Sequence, residues 1–379
     1  MAISPRKPRR RRWLRVALWI FVVLAAVAVV LVWSTEWLVS LGGKLADDRL
    51  ARAQRSPQFA DGEFRNAIPT LLLTAPFSEM MRHEFFGDEV REPARAVPVV
   101  RRTTKDYLVP PASGLRATWI GWSSVLVEID GRRVLTDPVW SERCSPSTLV
   151  GPKRFHPPPI SLNDLPHIDA VVISHDHYDH LDMATIRMLV RRGTIIAVPL
   201  GVSAHLERWG VPAQQIAELD WNESVDVKGL RIIATPARHY TGRHPLRTGE
   251  TLWASWVIKG PIHRIYFSGD TGYSGAFKII GREHGPFDLT LIKIGAYDPA
   301  WADIHINPEE AIQAHIDADG RVMLPVHWAT FNLAYHNWRE PPERAAAAAR
   351  KAGVALVIPR PGEWIEPAAA LPPIEPWWQ

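Results

Sequence analysis

The sequence predicts an α/β fold of two mixed β-sheets packed face to face and flanked by helices, with one transmembrane helix at the N-terminus. Three observations lead there. From Leu115 onward, short apolar runs alternate with segments of helical period, and strands come at both ends of that stretch with helices interspersed. With 379 residues, 46% of them hydrophobic, the chain carries enough apolar surface for a large core. One uninterrupted apolar run, Val16–Trp33, covers about 27 Å at the helical rise, the thickness of a bilayer's hydrocarbon.

Residues 1–15 form a basic tail. They hold seven of the 44 Lys/Arg and no acid, so 44 less seven leaves 37 basic side chains against 40 acidic ones in the remainder. The pI near 9.2 therefore belongs to the tail. A slightly acidic body argues against a nucleic-acid partner. Residues 16–38 form the anchor, with the cluster Arg6 to Arg15 before it and the first acid, Glu36, near its end. The positive-inside rule then puts the N-terminus in the cytoplasm and the body in the periplasm or another extracytoplasmic space. Trp13 at one end, with Trp33 and Trp37 at the other, suits the two interfaces. A cleaved signal peptide and a twin-arginine export signal, Arg10-Arg11-Arg12-Trp13-Leu14-Arg15, are the competing readings; Trp33-Ser34-Thr35-Glu36 offers no small-residue cleavage site.

Residues 39–114, with scattered prolines and an apolar patch at Ile68–Leu73, read as an extended arm with one or two short helices that wraps the core. The domain proper spans 115–365. Its strands fall at Arg116–Gly121, Ser124–Asp130 and Arg133–Asp137, the last two joined by the turn Asp130-Gly131. Asp169–Ser174 is a buried strand, followed by a helix from about Asp182 to Arg192. Further strands are expected at Thr194–Pro199, Leu230–Pro236, Leu252–Lys259, Arg264–Ser268, Leu289–Gly295 and Arg321–Val326. Helices are expected at Ala204–Trp209, Ala276–Glu283, Pro308–Asp317 and Glu343–Lys351, and 366–379 reads as a C-terminal tail.

The chemistry is concentrated in His175-Asp176-His177-Tyr178-Asp179-His180, directly after the apolar strand Ala170–Ile173. A tight turn between strand and helix can aim His175 and His177 one way and Asp179 and His180 another, so one segment begins two adjacent metal sites. A single cysteine, Cys144, excludes a Cys-rich zinc site. Imidazole with carboxylate suits zinc, or else iron or manganese.

This block resembles the His-x-His-x-Asp-His motif of the metallo-β-lactamase superfamily. The resemblance implies further ligands, each after a strand. His239 matches the third histidine of the first site, Asp270 the bridging aspartate, and His327 the last ligand of the second site. It also implies that Asp137 orients the histidine loop without touching metal. Two Zn2+ would then be held by His175, His177 and His239, and by Asp179, His180 and His327, with Asp270 between them.

Blocks outside the ligands are similar to the N-acylphosphatidylethanolamine-hydrolysing phospholipase D family and its bacterial relatives. They include Leu135-Thr136-Asp137-Pro138, Gly269-Asp270-Thr271-Gly272-Tyr273, Ile294-Gly295-Ala296-Tyr297 and His327-Trp328. What the likeness implies is a membrane-anchored phosphodiesterase that cleaves a phospholipid by a metal-bridging hydroxide, and a homodimer. It implies catalytic roles for Asp179, Asp270 and His305, with His305 near the substrate phosphate, and substrate contacts by Trp122, Tyr273 and Tyr297. Gly121-Trp122 stands where the family usually has Gly-His, so Trp122 is expected to reshape the mouth of the site. Lys153 and Arg154 are either an anion contact or a solvated surface pair. The same metal site also serves lactones and small esters, and a non-catalytic metal-binding envelope protein is the reading from another class.

Overall fold

The computed structural model describes residues 10–32 and 35–379. In chain order the N-terminal part contains α1 (Arg10–Val32), α2 (Thr35–Ser40), α3 (Asp47–Ala53), the hairpin β1 (Phe59–Ala60) and β2 (Glu63–Phe64), and α4 (Phe77–Phe86). The first half of the core contributes β3 (Leu115–Gly121), β4 (Ser124–Ile129), β5 (Arg132–Thr136), β6 (Ala170–Val172), α5 (Met183–Val190), β7 (Ile195–Pro199), α6 (Ser203–Arg208) and β8 (Ile216–Leu219). The second half contributes β9 (Ser224–Val227), β10 (Leu230–Thr235), β11 (Ser255–Lys259), β12 (Arg264–Phe267), α7 (Ala276–His284), β13 (Phe287–Lys293), α8 (Pro308–Asp317), β14 (Gly320–Val326), α9 (Glu340–Ala352), β15 (Ala355–Leu356) and β16 (Trp364–Ile365).

These strands form two seven-stranded sheets, ordered β16-β3-β4-β5-β6-β7-β8 and β15-β14-β13-β12-β11-β10-β9. Both are mixed in the same way. In the first, β16 to β5 pair antiparallel and β5 to β8 parallel. In the second, β9 to β12 pair antiparallel and β12 to β15 parallel.

The period of two explains why the central strands are buried on both faces. Val125, Val127 and Ile129 of β4 join the large core with Trp256, Ile258, Phe267 and Leu289 of the opposite sheet. Leu126, between them, points the other way, into a second core with Val171, Ile186 and Leu189 beneath α5. Phe277 of α7, Ile312 of α8 and Ala345 of α9 are packed into the large core as well.

Besides the arm hairpin β1–β2, four short strands of the two sheets lie outside the sequence expectation: β8, β9, β15 and β16. They are edge or near-edge pieces of two to four residues, too brief to display a period. The segment expected as a C-terminal tail is packed: Trp378 is buried, and the Trp377 ring lies tilted at 5.1 Å from Trp328, itself stacked at 5.3 Å on Trp119. Among the described residues no helix is long and apolar enough to cross a membrane. The expected span Val16–Trp33 runs past the described residues at Trp33. Within α1, Trp13, Leu18, Trp19, Phe21 and Leu24 are all exposed.

One buried group away from the site makes stability depend on pH. His315 of α8 is buried against Thr290, its Nδ1 2.7 Å from the hydroxyl, and burial pushes its pKa down to about 4. Its ordinary value is about 6.5, so below that pH the unfolded chain binds a proton that the folded one refuses. Stability is complete above pH ~6.5 and is lost progressively as the pH falls towards 4. His315→Gln is expected to flatten the fall in unfolding midpoint between pH 6.5 and 4.5 in circular dichroism melts. An unchanged slope would remove this cause.

Candidate metal centre

Every residue of the centre sits just beyond the carboxyl end of a strand, where side chains converge on the rim of the sheets. Asp137 follows β5, the 175–180 loop follows β6, His239 follows β10, Asp270 follows β12 and His327 follows β14. The chain bends sharply to bring them in: Asp137 and His327 have φ of +33° and +65°, in the left-handed region that costs a side-chain-bearing residue energy. Gly269, before Asp270, also has positive φ, and a Cβ there would lie 2.5 Å from that of Ser174. Only glycine fits.

Two separate groups of potential ligand atoms result, each gathered within 4.8 Å: His175, His177 and His239, and Asp179, His180, Asp270 and His327; a third, His239, Asp270 and His305, links them. His175 Nε2 faces His177 Nδ1 at 2.8 Å, and His180 Nε2 faces His327 Nε2 at 3.1 Å. Asp270 Oδ2 reaches His327 Nε2 at 3.0 Å and His180 Nε2 at 3.4 Å, with His239 Nε2 at 4.0 Å. It lies between the groups.

The tautomers are set from behind. His180 Nδ1 is 2.6 Å from Asp137 Oδ2, whose carboxylate also accepts from the Ser174 amide. His239 Nδ1 is 3.1 Å from the Ile304 carbonyl, which can only accept. Both rings therefore turn a lone pair on Nε2 inward. His239 Nε2 is buried and has no hydrogen-bond partner. Burial, then the neighbouring imidazoles, hold His175 well below the usual histidine pKa, and burial does most of the same to His239. Burial alone would favour the acid form of Asp270, but His327, Lys293 and His180 outweigh it and keep the carboxyl well below its usual range. Inward lone pairs and ionised carboxylates facing one another in a dry pocket are unstable by themselves, and cations resolve them. The residues fit a metal pair.

His305 is also brought in. Its Nε2 is 3.4 Å from Asp270 Oδ2, and its Nδ1 is hydrogen-bonded to the Ala296 carbonyl. The expected substrate contacts fare differently. Trp122 is 2% exposed, its ring 4.0 Å from that of His327, and its indole N–H donates to Asp179 Oδ2 at 3.0 Å. It stands against the ligands, on a backbone with φ of +52°. Tyr273 gives its hydroxyl to Asp317 of α8, and Tyr297 donates to Glu340 at 2.7 Å, so both are committed away from the ligands. Arg154 is buried, its Nε donating to the His156 carbonyl, whereas Lys153 makes an exposed pair with Glu142.

Three neighbours escaped the sequence reading. Tyr240 lays its ring 4.7 Å from His177 and 5.0 Å from His239; adjacency to His239 was its signal. Asn66, from the arm, grips the His239 backbone at both ends, donating to its carbonyl at 2.8 Å and accepting from its amide at 3.0 Å. No local pattern marks it. Lys293 ends β13 in full burial, its Nζ 4.0 Å from Asp270 Oδ1. A lysine inside the apolar run Leu289–Ile294 was the available clue.

With this arrangement established, similarity to known proteins becomes decisive. Residues 132–328 match the beta-lactamase superfamily domain. The chain belongs to the beta-lactamase superfamily. An uncharacterized protein of Mycobacterium tuberculosis is 48% identical over 90% of this chain and 92% of its own length. The N-acyl-phosphatidylethanolamine-hydrolyzing phospholipase D 1 of Caenorhabditis elegans is 39% identical over 69% of this chain and 77% of that protein. Among solved structures, an isothiocyanate hydrolase from Delia radicum gut bacteria superposes with a TM-score of 0.53 at 17% identity, covering 66% of this chain and 98% of that one, which speaks for the fold alone. This superfamily member is a metal-dependent hydrolase.

Proposed function

We propose that the protein is a membrane-tethered binuclear zinc phosphodiesterase that cleaves N-acylphosphatidylethanolamine, or a related phospholipid, on the headgroup side of phosphorus. One observation carries the reading: the two ligand groups meet at Asp270 beside an apolar groove. That groove, of about 610 Å³, runs between arm and core and is lined by Phe64, Ile68, Leu72, Trp253, Tyr240 and His239 among others. A lipid is the substrate that uses both halves, its phosphate at the ligands and its chains along the arm. The 39% identity to a phospholipase D named for this substrate supports the same choice.

When bound, the metal pair supplies a hydroxide at neutral pH and neutralises charge on the phosphoryl oxygens. The chain does the rest. Asp137 and the Ile304 carbonyl each hold the Nδ1 side of a ring, so that His180 and His239 turn Nε2 inward. His305, its Nδ1–H held by Ala296, offers a free Nε2 that can take a proton beside Asp270. Water adds to phosphorus as the ethanolamide oxygen leaves, giving phosphatidic acid and an N-acylethanolamine.

The apolar run Val16–Trp33 and the exposed apolar side chains of α1 support the tether, and the basic tail favours a cytoplasmic N-terminus. The zinc-loaded full chain, mixed with N-acylphosphatidylethanolamine vesicles, is expected to release phosphatidic acid detected by mass spectrometry. Faster turnover of a lactone than of the phospholipid would replace this reading with a lactonase. Bound metal without turnover of phosphodiester, ester or lactone would replace it with a non-catalytic envelope protein.

A further inference from the structure

The two oxygens of Asp270 keep different company. Oδ2 faces four imidazoles, with the Nε2 atoms of His327, His180, His305 and His239 at 3.0, 3.4, 3.4 and 4.0 Å. Oδ1 faces none of them. It is buried without a hydrogen-bond partner, and the nearest cation is Lys293 Nζ at 4.0 Å, buried and equally without a partner.

An ammonium group inside a sheet is expensive unless it meets an opposite charge. Lys293 ends a strand whose preceding residues, Leu289, Leu291 and Ile292, are fully buried apolar side chains, and its own exposure is 0%. The backbone fixes where it stands. Lys293 pairs in parallel register with Val326, the residue before His327, and its amide donates to Ser268 Oγ, two residues before Asp270. The lysine is therefore braced against the two strands that deliver Asp270 and His327.

We propose that Lys293 is a positioning residue for the metal centre. Its ammonium group, 4.0 Å from Asp270 Oδ1, is the cation that faces that oxygen, so that Oδ2, turned to the imidazoles, would be the oxygen offered to bound metal. Without it, nothing charged would face Oδ1, rotation about the Cβ–Cγ bond could exchange the two oxygens, and the carboxylate would be held less firmly for metal. The inference rests on the ligand set assigned above and is independent of which ester is hydrolysed.

Cobalt tests it, because its visible spectrum reports coordination number while a chromophoric chelator reports affinity. In the full chain, Lys293→Met is expected to weaken the second cobalt ion by about 10–100-fold, as loss of a group that orients a ligand commonly does, and to alter the visible band of the fully loaded protein. A merely structural lysine would lower the melting temperature of the metal-free chain and leave that band alone. Two ions bound with wild-type affinities and an unchanged spectrum would overturn the proposal. Should Lys293→Met fail to fold, Lys293→Gln, which keeps a donor near Oδ1 but no charge, carries the same two outcomes. Asp270→Ala in parallel separates the failures: undiminished binding of both ions there would sink the ligand set, and silent lipid assays beside the cobalt change would sink only the choice of substrate.

Discussion

Asp270→Ala and His177→Ala each leave a folded protein without measurable hydrolysis, a loss of at least about 10³-fold, or about 4 kcal/mol of barrier. The two substitutions strike different parts of the centre. Asp270 belongs to the group with Asp179, His180 and His327 and faces His239 of the other through the same oxygen, so its loss disconnects the two, whereas His177 serves only the group with His175 and His239. Turnover is measured beside circular dichroism, because Asp270 is buried and His177 half-buried among charges, and a collapse of the fold would mimic a catalytic loss. Full activity in either folded variant would reject the metal assignment.

The second large effect concerns stability. Trp378→Ala is expected to cost about 3–5 kcal/mol, the range for removing a buried large aromatic side chain. Trp378 is 2% exposed, packs edge-on against Trp328 at 5.9 Å, and closes a row of rings that runs from Trp377 through Trp328 to Trp119. Trp119 in turn donates its indole N–H to the Trp122 carbonyl, and Trp122 lies against His327. A denaturant titration measures the loss. A change below about 1 kcal/mol, the level of a surface substitution, would mean that these last residues merely rest on the core.

What the sequence made legible follows from how local each signal is. The helix expected at Pro308–Asp317 has those bounds in the structure, because Asn307 caps it, Glu310 closes the capping box and Pro308 starts the first turn. The ligand residues were legible for a similar reason. Each follows an apolar strand directly, so position along the chain implies position on the rim. Contacts made by folding alone left no such trace. Asn66 belongs to a proline-scattered arm, and nothing near it points to His239. Trp122 was expected at the mouth because it stands where the family usually has histidine; its contacts with Asp179 and His327 depend on tertiary packing that the motif does not encode. Tyr273 and Tyr297 sit in motifs beside the centre, yet each hydroxyl finds its partner on a helix packed later, Asp317 on α8 and Glu340 on α9. Chain neighbourhood anticipated which residues converge at the rim but not the partners of the tyrosine hydroxyls, since side-chain direction is a tertiary property.

The clasp of Asn66 on His239 spans a sequence separation of 173 residues. During synthesis the earlier strand of that clasp leaves the ribosome long before the later one exists, and closing so long a loop is slow compared with forming the hairpins on either side. The nascent chain must therefore carry an unfinished pocket through most of its translation. Cation capture becomes a closing event of biogenesis, reserved for molecules whose two halves have already met.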